Sequence, residues 1–175
     1  MITLITGGSG SGKSAYAEDT ILSYGDGGNR IYIATMFPFD EESRRRIDRH
    51  RRMRQDKQFQ TIERYTDLAG LQIPEDSYAL LECMSNLAAN EMYREDGAGV
   101  NAVPAILKGI ENLSAQAKEL CIVTNEISSD GNPYDREMQK YQCCLGTINQ
   151  AIARQADQVI EVVYGLPVII KGKIR

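Results

Sequence analysis

Short β-type runs alternate with longer helical patterns along the chain, and a glycine-rich turn joins the first run to the first helix. Together these predict an α/β fold: a mostly parallel sheet flanked by helices, with a C-terminal hairpin at its edge. At 175 residues the chain suits one compact domain, 1–175, and is too short for two with separate cores.

The first strand is expected at Ile2–Thr6, where an apolar run meets glycine, and the first helix at Lys13–Ser23. After the polar loop Gly25 to Asn29, strand Arg30–Ala34 leads to a long helix over Asp40–Lys57. Strands Phe59–Glu63 and Tyr78–Glu82 follow, then a helix over Asn86–Arg94. Glu95 to Asn101 is a second glycine-bearing polar loop and is expected to be a mobile segment near a substrate. Pro104 suits a first helical turn, so a helix is expected over Pro104–Ala117, followed by strand Leu120–Thr124. In the last helix, Tyr134–Ala156, Met138, Tyr141, Leu145, Ile148 and Ile152 recur every three or four residues. That apolar stripe must face the sheet or a neighbouring subunit. Strand Val159–Val163 then pairs with Val168–Lys171 across Gly165-Leu166-Pro167.

Twenty Lys and Arg against twenty-four Asp and Glu give a net charge of −4, which argues against a dedicated nucleic-acid binder. Four cysteines lacking C-x-x-C spacing and a single histidine make a structural zinc site implausible. Cys83 and Cys121 sit in apolar runs as small buried hydrophobes, which suits a reducing cytoplasm. No signal segment is recognisable before Gly7, and Val159 to Ile170, interrupted by Glu161 and Pro167, is no membrane span.

Gly7-Gly8-Ser9-Gly10-Ser11-Gly12-Lys13-Ser14 satisfies G-x-x-x-x-G-K-[ST] between a strand and a helix, the phosphate-loop arrangement. Its glycines let backbone N–H groups turn toward phosphate oxygens, and the helix N-terminus faces the same anion. Lys13 is placed to bridge β- and γ-phosphates, and Ser14 to offer its hydroxyl to Mg²⁺. A second, acidic metal ligand is expected at a strand end on the ligand side of the sheet; Glu82 is the best candidate, with Asn125-Glu126 holding a similar claim.

Seven of the twenty basic residues crowd into 44–54, together with the only histidine, His50. At helical spacing Ile47, His50, Arg51 and Arg54 share a face, flanked by the pairs Glu42/Arg46 and Asp48/Arg52. A solvated, salt-bridged surface helix would account for such a run, but its scarcity of apolar residues and its histidine call for more. Neighbouring guanidiniums disfavour the imidazolium, leaving His50 neutral and nucleophilic. Attack on the α-phosphorus of a nucleoside triphosphate would expel pyrophosphate and leave a phosphoramidate.

These residues resemble the bifunctional adenosylcobinamide kinase / adenosylcobinamide-phosphate guanylyltransferase family. The likeness spans nearly the whole chain: Thr6 to Ser14, Tyr32-Ile33-Ala34-Thr35, Arg46-Ile47 to His50 and on to Arg54, Thr61 with Glu63, Leu80-Leu81-Glu82-Cys83, Ser85-Asn86-Leu87, Thr124-Asn125-Glu126, and Gly146 with Asn149-Gln150. It implies a RecA-like phosphate-loop (P-loop) NTPase fold, a corrinoid substrate, ATP and GTP with Mg²⁺, and a homotrimer. It further implies that His50 is guanylylated, that Gly7 to Ser14 hold the triphosphate, and that Ala34, Thr35, Met36, Arg51, Arg52, Met53, Arg54, Glu63 and Glu82 contact nucleotide. The sequence departs from the family pattern at Arg49, Gln139, Gln142 and Ser128-Ser129-Asp130-Gly131. Two rivals stand beside this reading: a kinase of another small alcohol using the Arg helix as a lid over ATP, and an NTP-switched nucleic-acid module using it as a phosphate clamp. The second lacks aromatics between Phe39 and Phe59, which single-strand binding would call for.

Overall fold

A computed structural model describes residues 1–25, 28–127 and 134–173. The strands are β1 (Ile2–Thr6), β2 (Arg30–Ala34), β3 (Gln60–Glu63), β4 (Ser77–Glu82), β5 (Ala117–Val123), β6 (Gln158–Val163) and β7 (Leu166–Lys171). The helices are α1 (Lys13–Ser23), α2 (Glu41–Arg54), α3 (Met84–Tyr93), α4 (Ala102–Gln116) and α5 (Arg136–Gln155). One sheet takes all seven strands in the order β3-β2-β4-β5-β1-β6-β7, parallel throughout except for the β6–β7 hairpin.

Strand residues alternate between two cores. Ile5, Tyr32, Leu80, Cys121, Val123 and Ile160 pack with Ala17 and Ile21 of α1 on one face. Leu4, Ile31, Ile33, Leu81 and Ile122 meet Leu87, Ile106, Leu113, Ile148 and Ile152 of α3, α4 and α5 on the other. Apolar side chains on both faces explain why the central strands read as continuous hydrophobic runs. Cys83 and Cys121 are free and buried, as their surroundings in the sequence suggested.

The stripe of α5 turns inward: Leu145, Ile148 and Ile152 are buried in the core, while the half-buried Tyr141 donates its hydroxyl to the Ser85 carbonyl at 3.0 Å. Only Met138, at the exposed end, stays outside. The stripe is therefore filled within the chain, not left for a neighbouring subunit.

Helix α2 belongs to neither core; of its fourteen residues only Arg54 is buried. It stands on local terms. Asp40 caps it reciprocally with Ser43, Glu41 and Glu42 occupy its first turn, and Arg51, Arg52 and Arg54 its last. Glu41–Arg45 at 2.7 Å and Glu42–Arg46 at 2.5 Å lace the outer face. The expected Asp48/Arg52 pair is replaced by Asp48–Arg51 at 4.0 Å. The helix also ends three residues earlier than expected, because Lys57 leaves it for a carboxylate on α1 and Gln58 takes a positive φ of 56° to enter β3.

At the far edge, β7 begins at Leu166 and runs through Pro167, sooner than the sequence suggested. Tyr164 and Gly165, with φ of 51° and 79°, form the two-residue turn that a right-twisted hairpin favours. An outermost strand tolerates proline because its outward side needs no ladder donor. Glu95 to Asn101 is tied down at both ends: Arg94 pairs with Asp96 at 2.8 Å, and Glu91 accepts from the Ala98 amide at 2.8 Å. The segment 128–131 lies outside the described residues.

Candidate active site

β1 delivers the chain into the loop 7–14 at the C-terminal edge of the sheet, where parallel α/β folds hold ligands. Gly10 and Gly12 take φ of 73° and 91°, values that side chains resist, and Gly12 is the N-cap of α1. A Cβ at Gly7 would lie 2.6 Å from the Val162 carbonyl, so the loop's entry is fixed by close backbone approach to β6. The Gly165 amide donates to the Ser11 carbonyl at 2.8 Å and braces the loop from the hairpin turn. Lys13 is buried and donates its Nζ to the Gly8 carbonyl at 3.0 Å, curling back over the cradle.

Ser14, at the first turn of α1, donates its hydroxyl to Glu82 Oε1 at 2.6 Å. Glu82 Oε2 is buried with no partner. Burial pushes the Glu82 carboxyl up to about 7, against the Ser14 hydrogen bond and the Lys13 charge. A hydroxyl and a carboxylate with one orphaned oxygen fit a hard cation such as Mg²⁺. Among the described residues no cluster of three or more His, Cys, Asp or Glu is available, so phosphate and water oxygens would complete the sphere. Asn125 donates instead to Ser85 Oγ at 2.6 Å, and Glu126 lies exposed.

The same carboxylate lines a second chamber. Ile47, His50, Arg51 and Arg54, the helix face read from the sequence, form one wall. Tyr32, Ala34, Met36, Thr61 and Glu63 from the β2 and β3 side, with Glu82, Cys83 and Asn86, form the rest. Arg54 stacks on the Tyr32 ring at 3.4 Å, and its Nε and Nη1 are buried without hydrogen-bond partners. Arg51 pairs with Glu63 at 2.5 Å, and Tyr65 donates to the other Glu63 oxygen at 2.8 Å. The Tyr65 hydroxyl first, then Arg51, hold that carboxyl below its ordinary range.

His50 is half-buried, with Nδ1 enclosed and unpartnered. Burial first, then the charges of Arg54, Arg49, Lys13 and Arg46, hold its pKa below the ordinary 6.5. The guanidinium effect expected from sequence is thus present, second to desolvation, and Lys13 of the phosphate loop is close enough to contribute. The imidazole is therefore neutral at pH 7, with its lone pair available.

Lys57 anchors the arrangement. Its Nζ lies 2.8 Å from Glu18 Oε2 and 3.2 Å from Asp19, tying the segment after α2 to the helix that follows the phosphate loop. Glu18 is fully buried.

The chamber thus gathers Ala34, Met36, His50, Arg51, Arg54, Glu63 and Glu82, and Glu82 links it to Ser14 and the loop. Arg52 and Met53 are exposed and do not line it. Thr35 is buried behind it, its hydroxyl accepting from the Cys83 amide and donating to the Cys83 carbonyl, both at 2.8 Å. Its side chain fastens the tips of β2 and β4 together. Tyr32 enters the sequence reading only within a family motif, and Glu18 and Lys57 carry no role there; an aromatic within a strand and charges within helices give no cue to their pairing across 20 to 40 residues.

Residues 3–170 match the family model for cobinamide kinase / cobinamide phosphate guanyltransferase. The chain is 31% identical to the bifunctional adenosylcobalamin biosynthesis protein CobU of Escherichia coli (strain K12), over 98% of this chain and 100% of that protein. It is 31% identical to the bifunctional protein CobP of Pseudomonas aeruginosa, over 99% of each. Among solved structures, an ATPase from the type III secretion system of pathogenic bacteria superposes with a TM-score of 0.52 at 12% identity, covering 91% of this chain and 51% of that one. That likeness is one of fold alone, a mostly parallel sheet flanked by helices, and the G-x-x-x-x-G-K-[ST] loop is this chain's own. The chain belongs to the cobinamide kinase / cobinamide phosphate guanyltransferase family.

Proposed function

We propose that one nucleotide site runs both reactions of the family here, within a single domain. In the first, the aminopropanol hydroxyl of adenosylcobinamide attacks the γ-phosphorus of ATP or GTP; the bond to the bridging oxygen breaks and the nucleoside diphosphate leaves. Gly7, Gly8, Ser9, Gly10, Ser11 and Gly12 cradle the phosphates with backbone amides, and Lys13 offsets charge on the transferred group. Ser14 and Glu82 hold Mg²⁺, which when bound neutralises phosphate charge.

In the second, the neutral His50 imidazole attacks the α-phosphorus of GTP; a P–N bond forms and pyrophosphate departs. A phosphate oxygen of adenosylcobinamide phosphate then attacks the same phosphorus, breaking the P–N bond and freeing the imidazole. Arg54 supplies buried positive charge to the crowded oxygens, and Arg51 with Glu63 shapes the wall beside them. Ala34, Thr35 and Met36 border the nucleotide, Thr35 through its backbone; for Arg52 and Met53, exposed and outside the chamber, only the family resemblance speaks for a contact.

One observation carries this reading: His50 and Glu82 line a single chamber, and Glu82 is bonded to Ser14 of the phosphate loop. A cytoplasmic homotrimer acting on a corrinoid, without nucleic acid, completes it; the exposed apolar residues of β7 are surface such an assembly could cover. No described helix is long and apolar enough to cross a membrane. Intact mass after incubation with GTP and a magnesium salt tests the scheme. A GMP-sized increment is expected on the wild type and none on His50→Ala; an adduct that persists in the variant overturns the assignment.

A further inference from the structure

The catalytic chamber does not end at its wall. Met36 and Asn86 also border a cavity of about 310 Å³, bounded by the loop after β2, the first turns of α2 and the outward side of α3. Phe39, Ala89 and Asn90 are shared in turn with a third cavity of about 570 Å³ that reaches Tyr93 and Arg94. The three form one trough that starts at the reacting groups and runs along α3. From Asn86 to Tyr93 the helix rises about 10 Å.

Its chemistry is unlike that of the phosphate site. Phe37 and Phe39 meet edge to face at 4.7 Å, and Arg94 stacks on Phe37 at 4.0 Å, so the aromatic loop is braced from behind. Phe39 nevertheless leaves 70% of its surface exposed and Tyr93 53%. Ala89 leaves the floor between them low. Tyr93 is pinned by its hydroxyl to the Glu137 carbonyl at 3.1 Å, and Asn90 by its amide to the Thr35 carbonyl at 2.8 Å. Broad apolar faces fringed by polar groups suit a large flat ligand with an apolar body and an amide-bearing rim. A nucleotide tail would find no free cationic row there, since Arg94 is engaged with Asp96 and Arg46 with Glu42.

We propose that this trough seats the corrin ring of the acceptor, with Phe39 and Tyr93 against its faces, Ala89 beneath it, and the aminopropanol arm passing Met36 and Asn86 to the reacting phosphates. The proposal rests on the two-step reading above. It makes Phe39, Tyr93 and Ala89 determinants of acceptor binding that play no part in the GTP half-reaction.

The test uses the full chain and two readouts. Guanylylation of the protein by GTP needs no corrinoid, so it reports the nucleotide site and the fold together. Equilibrium dialysis of adenosylcobinamide, followed by its visible absorbance, reports the trough. Ala89→Trp, which fills the floor, is expected to weaken corrinoid binding at least 10-fold, and Phe39→Ala and Tyr93→Ala each several-fold, with the rate of protein guanylylation within about 2-fold of wild type. Unchanged corrinoid binding in Ala89→Trp overturns the trough. Absence of the adduct in the wild type defeats the two-step reading instead. Should Ala89→Trp lose both readouts through misfolding, Phe39→Ala decides, since an exposed side chain on a loop carries little of the fold.

Discussion

The phosphate loop and helix α2 reach one place, joined through Glu82, by opposite means. The loop is built from backbone: glycines at φ values other residues resist, a close approach to β6 and a brace from the hairpin turn, all rooted in the buried sheet. Helix α2 is built from charge, with one buried residue in fourteen, and is held near its C-terminal end by the Arg54–Tyr32 stack, the Arg51–Glu63 pair and the Lys57–Glu18 anchor. A cradle that must present many amides to an anion benefits from rigidity. The nucleophile proposed at His50 would depend instead on its protonation state, and α2 supplies the neighbours that set its electrostatics.

The largest effect that can separate the two regions is His50→Ala. Guanylyl transfer should fall about 10³-fold or more while phosphorylation of the acceptor changes only a few-fold; comparable loss of both rates would show that the loop and the helix act as one unit. Lys57→Met comes next. It leaves the buried Glu18 carboxylate without its lysine and should cost about 3 kcal/mol in denaturant unfolding, with guanylylation suffering more than nucleotide binding at the loop.

Glu82→Gln probes the seam between the regions. A carboxyl raised to about 7 from an ordinary 4.5 favours its protonated form in the folded state, so its stabilising contribution is whole below pH 4.5 and lost as pH rises through 7. Glutamine should therefore raise stability by about 1–3 kcal/mol at pH 8, discounting partial solvent access, and by almost nothing at pH 4. Wild-type protein should also release a proton when magnesium and nucleotide bind near pH 7, measurable by calorimetry in buffers of different ionisation heat.

Arg54→Met probes how the end of α2 sets the imidazole. Arg54 lowers the His50 pKa, so its removal should move the acid limb of the guanylylation pH profile upward, toward the ordinary 6.5. An unmoved limb would mean that burial alone keeps the imidazole neutral. The smallest effect is expected of Glu42→Gln, which removes an exposed helix pair worth about 0.5 kcal/mol or less.

Sheet and helices were legible in the sequence because apolar strands covered on both faces and apolar stripes on helices leave periodic marks. The loop 7–14 was legible because its glycine spacing is dictated by phosphate geometry. The shared face of Ile47, His50, Arg51 and Arg54 followed from helical spacing alone. What did not follow were the partners across the sheet. Nothing local says that Arg54 stacks on Tyr32, that Lys57 leaves its helix for Glu18, or that Thr35 spends its hydroxyl on the Cys83 backbone. The α5 stripe shows the same limit: period identifies a buried face, but only the packed structure shows that its cover is the chain's own sheet. Element ends shifted by one to three residues wherever a cap, a turn or a departing side chain outweighed propensity.

The bond from Gly165 to Ser11 joins distant stretches of the chain. It makes the tip of an outlying ribbon a strut for the loop proposed to grip the triphosphate, so the floor of that loop is set partly by residues outside it. Any change that tilts the ribbon, whether a bulkier residue at 165 or a protein leaning on Leu166 and Ile170, reaches Ser11 through a single amide.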